Sequence, residues 1–123
     1  MARHHEIGRK GEELAQAYLR RKGWTILETN WRYQRAEVDI IAKDGPVLVF
    51  VEVKTRSSAA FGQPEEFITP YKEQLLTDAA HAYMEHIGHE WEIRFDFVSI
   101  LLHPDGRYRL RHFPDAFFPG LEG

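Results

Sequence analysis

The chain has 123 residues, no cysteine and a formal net charge of -3. That length is enough for one domain with its own apolar core, and the lack of thiols excludes disulfides and thiolate metal sites, which suits a reducing cytoplasm. No apolar run is long enough to span a bilayer and the first residues lack the apolar core of a signal peptide, so a cytoplasmic protein without membrane contact is expected.

The first predicted element is a helix from about Ile7 to Lys22, with Ile7, Gly11, Leu14 and Tyr18 on one face and Gly23 placed to end it. Arg20, Arg21 and Lys22 suit the negative end of its dipole. Glu12 lies beside the apolar stripe, where it either stays solvated or reaches along the core edge toward the next strands. Trp24 to Glu28 reads as a strand and Asn30 to Arg35 as a polar loop. Trp31 and Tyr33 stand among arginines there, an arrangement that can stack bases, although covering a core edge is the favoured reading.

The stretch Ala36 to Arg56 reads as an antiparallel hairpin, two Val- and Ile-rich strands around Lys43-Asp44-Gly45-Pro46. Its charges need compensation, because an ionised group in a doubly buried strand costs several kcal/mol when unpaired, on the order given for buried ions. Alternation puts Glu37 and Asp39 on one face, and Glu52, Lys54 and Arg56 on one face of the next strand. If the turn takes the four residues Lys43 to Pro46, Ala42 pairs with Val47 and Asp39 falls diagonally opposite Glu52, with Cβ atoms about 7–8 Å apart. Two carboxylates at that separation can converge on one cation. Hard oxygen ligands select Mg²⁺ or Mn²⁺, which suit phosphodiester hydrolysis, and Lys54 would stabilise charge on the phosphate or orient the nucleophile. The bland alternative is a wet sheet face carrying cross-strand ion pairs. Asp39 followed by Glu52-Val53-Lys54 resembles the motif of the PD-(D/E)XK nuclease superfamily.

Thr55 to Thr69 forms a long Ser-, Gly- and Pro-containing loop, either a cover for the site or a plain surface excursion. A second helix starts at Thr69 as N-cap with Pro70 in its first turn and runs to about His86. Lys72 stands where a capping box would place Glu. A cation there opposes the dipole, so it is either kept for a phosphate or simply solvated. His81, His86 and His89 offer a rival zinc site of loose spacing. Trp91 to Leu102 is a strand entering the core, Pro104-Asp105-Gly106 a turn, and Tyr108 to Phe113 an edge strand. The tail through Phe117 and Phe118 either folds back or meets another subunit. A negative total charge argues against nucleic acid, yet the cations cluster at Arg9-Lys10, Arg20-Arg21-Lys22, Arg32 with Arg35, and Lys54 with Arg56.

The order helix, three strands, helix, strand, strand gives an α/β domain spanning 1–123, with a mixed central sheet flanked by helices. It is also the restriction-endonuclease-like αβββαβ core of the nuclease superfamily. The segments Gly8-Arg9-Lys10-Gly11-Glu12, Gly23-Trp24-Thr25-Ile26-Leu27, Asn30-Trp31-Arg32, Glu37 to Ala42, Phe50 to Arg56 and Phe61-Gly62-Gln63-Pro64 resemble the bacterial YraN-type family, which is similar to archaeal Holliday-junction resolvases. The likeness extends through Lys72 and Arg94-Phe95-Asp96 to Arg111-His112-Phe113-Pro114. Ala36 departs from it, since the family usually shows Gly there. The resemblance implies a Mg²⁺- or Mn²⁺-dependent endonuclease acting on DNA, branched or damaged, and a possible homodimer. Asp39, Glu52 and Glu12 would be the metal ligands, Lys54 the catalytic lysine and Glu37 a supporting carboxylate. Arg56, Lys72, Arg9, Lys10 and Arg35 would meet nucleic acid. The alternative is a module on the same fold that binds nucleic acid or assembles without cutting.

Overall fold

The computed structural model describes residues 2–57 and 69–116, with side chains from residue 6 onward. The described elements are α1 (Ala2–Arg21), β1 (Thr25–Tyr33), β2 (Ala36–Asp44), β3 (Val47–Arg56), α2 (Pro70–Ile87), β4 (Ile93–Leu102) and β5 (Tyr108–Phe113). The strands form one sheet in sequential order, antiparallel except for the parallel pair β3–β4. A parallel pair needs a crossover, and α2 lies in it. The expected mixed α/β architecture is present, with β5 added at the edge.

β3 is buried through most of its length because helices cover both faces of the sheet. Val49, Val51 and Val53 pack with Ala15 and Leu19 of α1, joined by Trp24, Ile40, Val98 and Ile100. Leu48 and Phe50 point the other way, onto Leu76, Ala79, Ala80 and Tyr83 of α2. Strand alternation thus builds two cores from one run of Val, Leu and Phe. The α1 contact line is Gly11, Ala15 and Leu19, with Leu14 and Tyr18 beside it. Gly11 lies so near β3 that a Cβ on it would fall 1.7 Å from the Thr55 hydroxyl oxygen.

Several boundaries differ from expectation. α1 begins at Ala2 rather than Ile7. The segment read as a polar loop is the second half of β1, which carries a register shift between Ile26 and Glu28 and a left-handed Asn30 at φ 53°. Those two irregularities break the alternation that marks a strand. Trp31 and Tyr33 lie stacked at the edge of the α2-side core, and Trp31 meets Tyr83 edge-on at 5.0 Å, so they cover a core edge as favoured. The β2–β3 turn takes two residues, not four: Asp44 pairs with Val47 and Ala42 with Val49. Gly45 at φ 60° followed by proline, whose φ is fixed negative, fits a type II′ turn.

Ala36 is buried and follows a two-residue turn, paired with Tyr33; its methyl joins the α2-side core, so the missing glycine costs nothing visible in the backbone. β3 continues through Arg56, shortening the expected loop, whose part from 58 to 68 lies outside the described residues. β4 starts at Ile93, leaving Trp91 exposed before it. Past β5 the chain turns back on β4: the Ala116 N–H donates to the Phe95 carbonyl at 2.7 Å. Phe117 and Phe118 lie outside the described residues. Among the described residues no helix is long and apolar enough to cross a membrane.

Candidate active site where β2 and β3 part

The β2–β3 ladder ends at the pair Ile40–Val51. Alternation in β2 also breaks here, since Val38 belongs to the α2-side core and Ile40 to the α1-side core. Asp39, between them, turns its carboxylate toward β3, where its Oδ2 accepts the Val53 N–H at 2.8 Å. A side chain thus replaces the next rung of the ladder. The even number of residues in the turn is what keeps Asp39 and Glu52 together, and the shorter turn brings them from diagonal to opposite in the continued register.

Glu52 is 8 % exposed, and the Lys72 ammonium from the first turn of α2 pairs with its Oε2. Its Oε1 is buried without a hydrogen-bond partner among the described residues. Burial raises the Glu52 carboxyl, opposed by the charges of Lys72 and Lys54. Asp39 is pushed from 3.8 to about 8, first by burial and then by the charge of Glu52, with the Val53 N–H opposing and Glu12 and Glu37 adding to the rise. Glu12 is raised by burial, held back by a hydrogen bond from Asn30, and raised further by Glu37 and Glu52. Burial lowers the Lys54 amine, as do Lys72 and Arg56, while Glu52 and Asp39 oppose. These are groups whose charges act on one another across a shared space.

Arg35, Glu37, Asp39, Glu52, Tyr71 and Lys72 line a cleft of about 390 Å³. Glu37 also pairs with Arg32 at 3.4 Å. Alternation along β3 sends Lys54 and Arg56 to the Glu52 side. Arg9 and Lys10 are exposed on α1. The fold therefore gathers Glu12, Glu37, Asp39, Glu52, Lys54 and Lys72. The sequence did not single out Tyr71 or Asn30, nor the Lys72–Glu52 pair. A lysine at the third position of a helix, where Glu is favoured, was the available signal.

As a metal site, the donor set fits in chemistry. Asp39 and Glu52 offer hard oxygens, and Glu52 Oε1 is a buried acceptor with no hydrogen-bond partner among the described residues. Among the described residues no three of Asp, Glu and His converge tightly enough to hold an ion. The rival zinc site is not assembled either. His89 Nε2 lies 3.0 Å from the Glu92 carbonyl and His86 packs near Tyr83, while His81 and His89 line a separate, open hollow of about 530 Å³ with Met84 and Glu85.

A second charged cluster is structural. Asp96, 1 % exposed, accepts from Arg94 Nε at 2.8 Å, from the Asp115 N–H at 3.2 Å, and meets His112 Nε2 at 2.7 Å. His112 Nδ1 meets the Tyr18 hydroxyl at 3.0 Å. The cluster ties α1, β4, β5 and the chain after β5 together.

The sequence profile of Uncharacterised protein family UPF0102 matches residues 11–100. A UPF0102 protein of Christiangramia forsetii is 50 % identical over 118 residues, covering 96 % of this chain and 98 % of that one. One from Flavobacterium psychrophilum is 46 % identical over 118 residues with the same coverage, and one from Bacteroides thetaiotaomicron is 41 % identical over 121 residues, covering 98 % and 99 %. The likeness runs the length of both partners, through every element that builds the cleft, and the chain belongs to the UPF0102 family, the YraN-type family of bacteria.

Proposed function

We propose that this chain is a divalent-metal-dependent endonuclease that hydrolyses phosphodiester bonds of DNA, with branched or damaged forms as substrates. The reading rests on the resemblance to PD-(D/E)XK nucleases and archaeal Holliday-junction resolvases. One observation carries it: Asp39 and Glu52 share a cleft, with a raised Asp39 and a Glu52 oxygen left without a partner among the described residues. Like charges buried together are stabilised by a cation.

Asp39 and Glu52 would hold Mg²⁺ or Mn²⁺, with Glu12 completing or orienting the ligand shell and Glu37 supporting it. The bound ion supplies Lewis-acid charge to the phosphate and lowers the pKa of an attacking water. Lys54, its amine shifted toward the neutral form by burial and by two neighbouring cations, holds or takes the proton of that water beside the phosphate. Arg35 and Lys72, which line the cleft, and Arg56, two residues past Lys54 on β3, would be phosphate contacts, and Arg9 and Lys10 would extend the basic surface along α1. A homodimer in the cytoplasm belongs to the same reading.

The test is incubation with linear, single-stranded, flap and four-way-junction DNA in Mg²⁺ or Mn²⁺. Cleavage of at least one substrate is expected, reduced by about 10²-fold or more in Lys54→Ala, the scale of a lost proton-transfer group. Cleavage that persists in that variant would point elsewhere. A second reading, a module that binds nucleic acid or assembles without cutting, is favoured by the ammonium already neutralising Glu52. Equal and negligible heats when Mn²⁺ is titrated into the native protein and Asp39→Ala would decide for it.

A further inference from the structure

The Lys72–Glu52 pair joins unlike environments. Glu52 is on the floor of the cleft with its side chain 9 % exposed, whereas the Lys72 side chain, at 33 %, stands at the mouth. Lys72 follows Thr69 and Pro70 at the start of α2, where the helix end is itself positive and a lysine is locally disfavoured. Reaching Glu52 compensates it. The compensation of Glu52 is incomplete, because the ammonium takes one carboxylate oxygen and the other is buried with no partner among the described residues. Beside it, the strongest charges acting on Asp39 are those of Glu52, Glu12 and Glu37, all acidic. Lys72 is the ammonium seated on a Glu52 oxygen, and Lys54 adds its charge from the same strand, in a space that presents two or more carboxylates.

We propose that Lys72 is the exchangeable occupant of the cation position: it neutralises Glu52 while no divalent ion is bound and leaves Glu52 when one is. The inference rests on reading Asp39 and Glu52 as ligands of that ion. The half-exposed lysine can swing to solvent on its four-carbon stem, whereas both carboxylates are fixed to paired strands. Repulsion between the ammonium and a divalent ion drives the exchange, and the released amine remains at the cleft mouth, beside Tyr71 and Arg35, where a phosphate enters. Ion binding and phosphate binding are then coupled through one side chain.

The experiment is calorimetric titration of Mn²⁺ into the native protein, Lys72→Met and Lys72→Arg, with melting temperatures recorded with and without the ion. Removing a charge-assisted competitor is expected to tighten Mn²⁺ binding roughly tenfold or more in Lys72→Met. That variant is expected to melt lower than the native protein without Mn²⁺ and to gain more on its addition, while Lys72→Arg behaves like the native protein. Lys72→Gln serves if Lys72→Met does not fold. Mn²⁺ binding by the native protein that is unchanged or weakened in the neutral variants would overturn the exchange and leave the metal site standing. Binding by none of the proteins would overturn both.

Discussion

Gly11 of α1 and Thr55 of β3 touch where no side chain fits between them: a Cβ on Gly11 would lie 1.7 Å from Thr55 Oγ1 and 2.8 Å from its Cβ. Glu12 is the next residue, so this contact brings a helix carboxylate beside the strand that carries Glu52 and Lys54.

Gly11→Ala is therefore expected to destabilise. Helix propensity alone favours Ala over Gly by roughly 0.5–1 kcal/mol. Rotating Thr55 clears its hydroxyl but not its Cβ, so the helix must shift, at a cost of about 1–3 kcal/mol for overpacking. A lower melting temperature checks this, and a rise would mean that α1 sits farther from β3.

Asp39 links stability to pH. Its carboxyl goes from 3.8 to about 8 on folding, so between those values the native state keeps a proton that the unfolded chain has released. Stability from this group is full below about pH 4 and falls as pH rises toward 8. Asp39→Asn keeps an acceptor for Val53 N–H and removes the slope, giving a gain of about 1 kcal/mol or more at pH 8, or about 4 °C in melting. Mn²⁺, which needs the ionised carboxylate, is expected to bind the native protein more tightly at pH 8 than at pH 6. Melting and titration across that range check both signs.

Asp96 behaves oppositely. Burial works to raise its carboxyl, but hydrogen bonds from His112 and Arg94 outweigh burial and hold it below its ordinary value. Its contribution is complete above about pH 4 and is lost as pH falls through the depressed folded value. Asp96→Ala takes the shared carboxylate from His112 and leaves Arg94 with its longer 3.4 Å pair to Asp44, and is expected to cost about 3 kcal/mol, measured by urea unfolding at neutral pH.

Thr69 caps α2 by accepting the Lys72 N–H at 3.2 Å. Thr69→Ala is expected to cost about 1 kcal/mol. Because the capped N–H belongs to the residue that reaches Glu52, loosening the cap also frees the ammonium, and metal-free melting should fall while Mn²⁺ affinity rises.

What the sequence determined by itself was local. Val- and Ile-rich runs around Gly45-Pro46 specify a hairpin, an even turn of either length keeps Asp39 with Glu52, and Thr69-Pro70 fixes the start of α2. These follow from backbone sterics and alternation, which act over a few residues. β1 was half hidden because Asn30 and the register shift near Leu27 interrupt that same alternation. The tertiary structure alone decided that Lys72 meets Glu52, that Gly11 lets Glu12 come beside β3, and that Asp39 turns into the gap between strands. Each depends on the angle and distance at which separate elements pack, and no periodicity within one element encodes that.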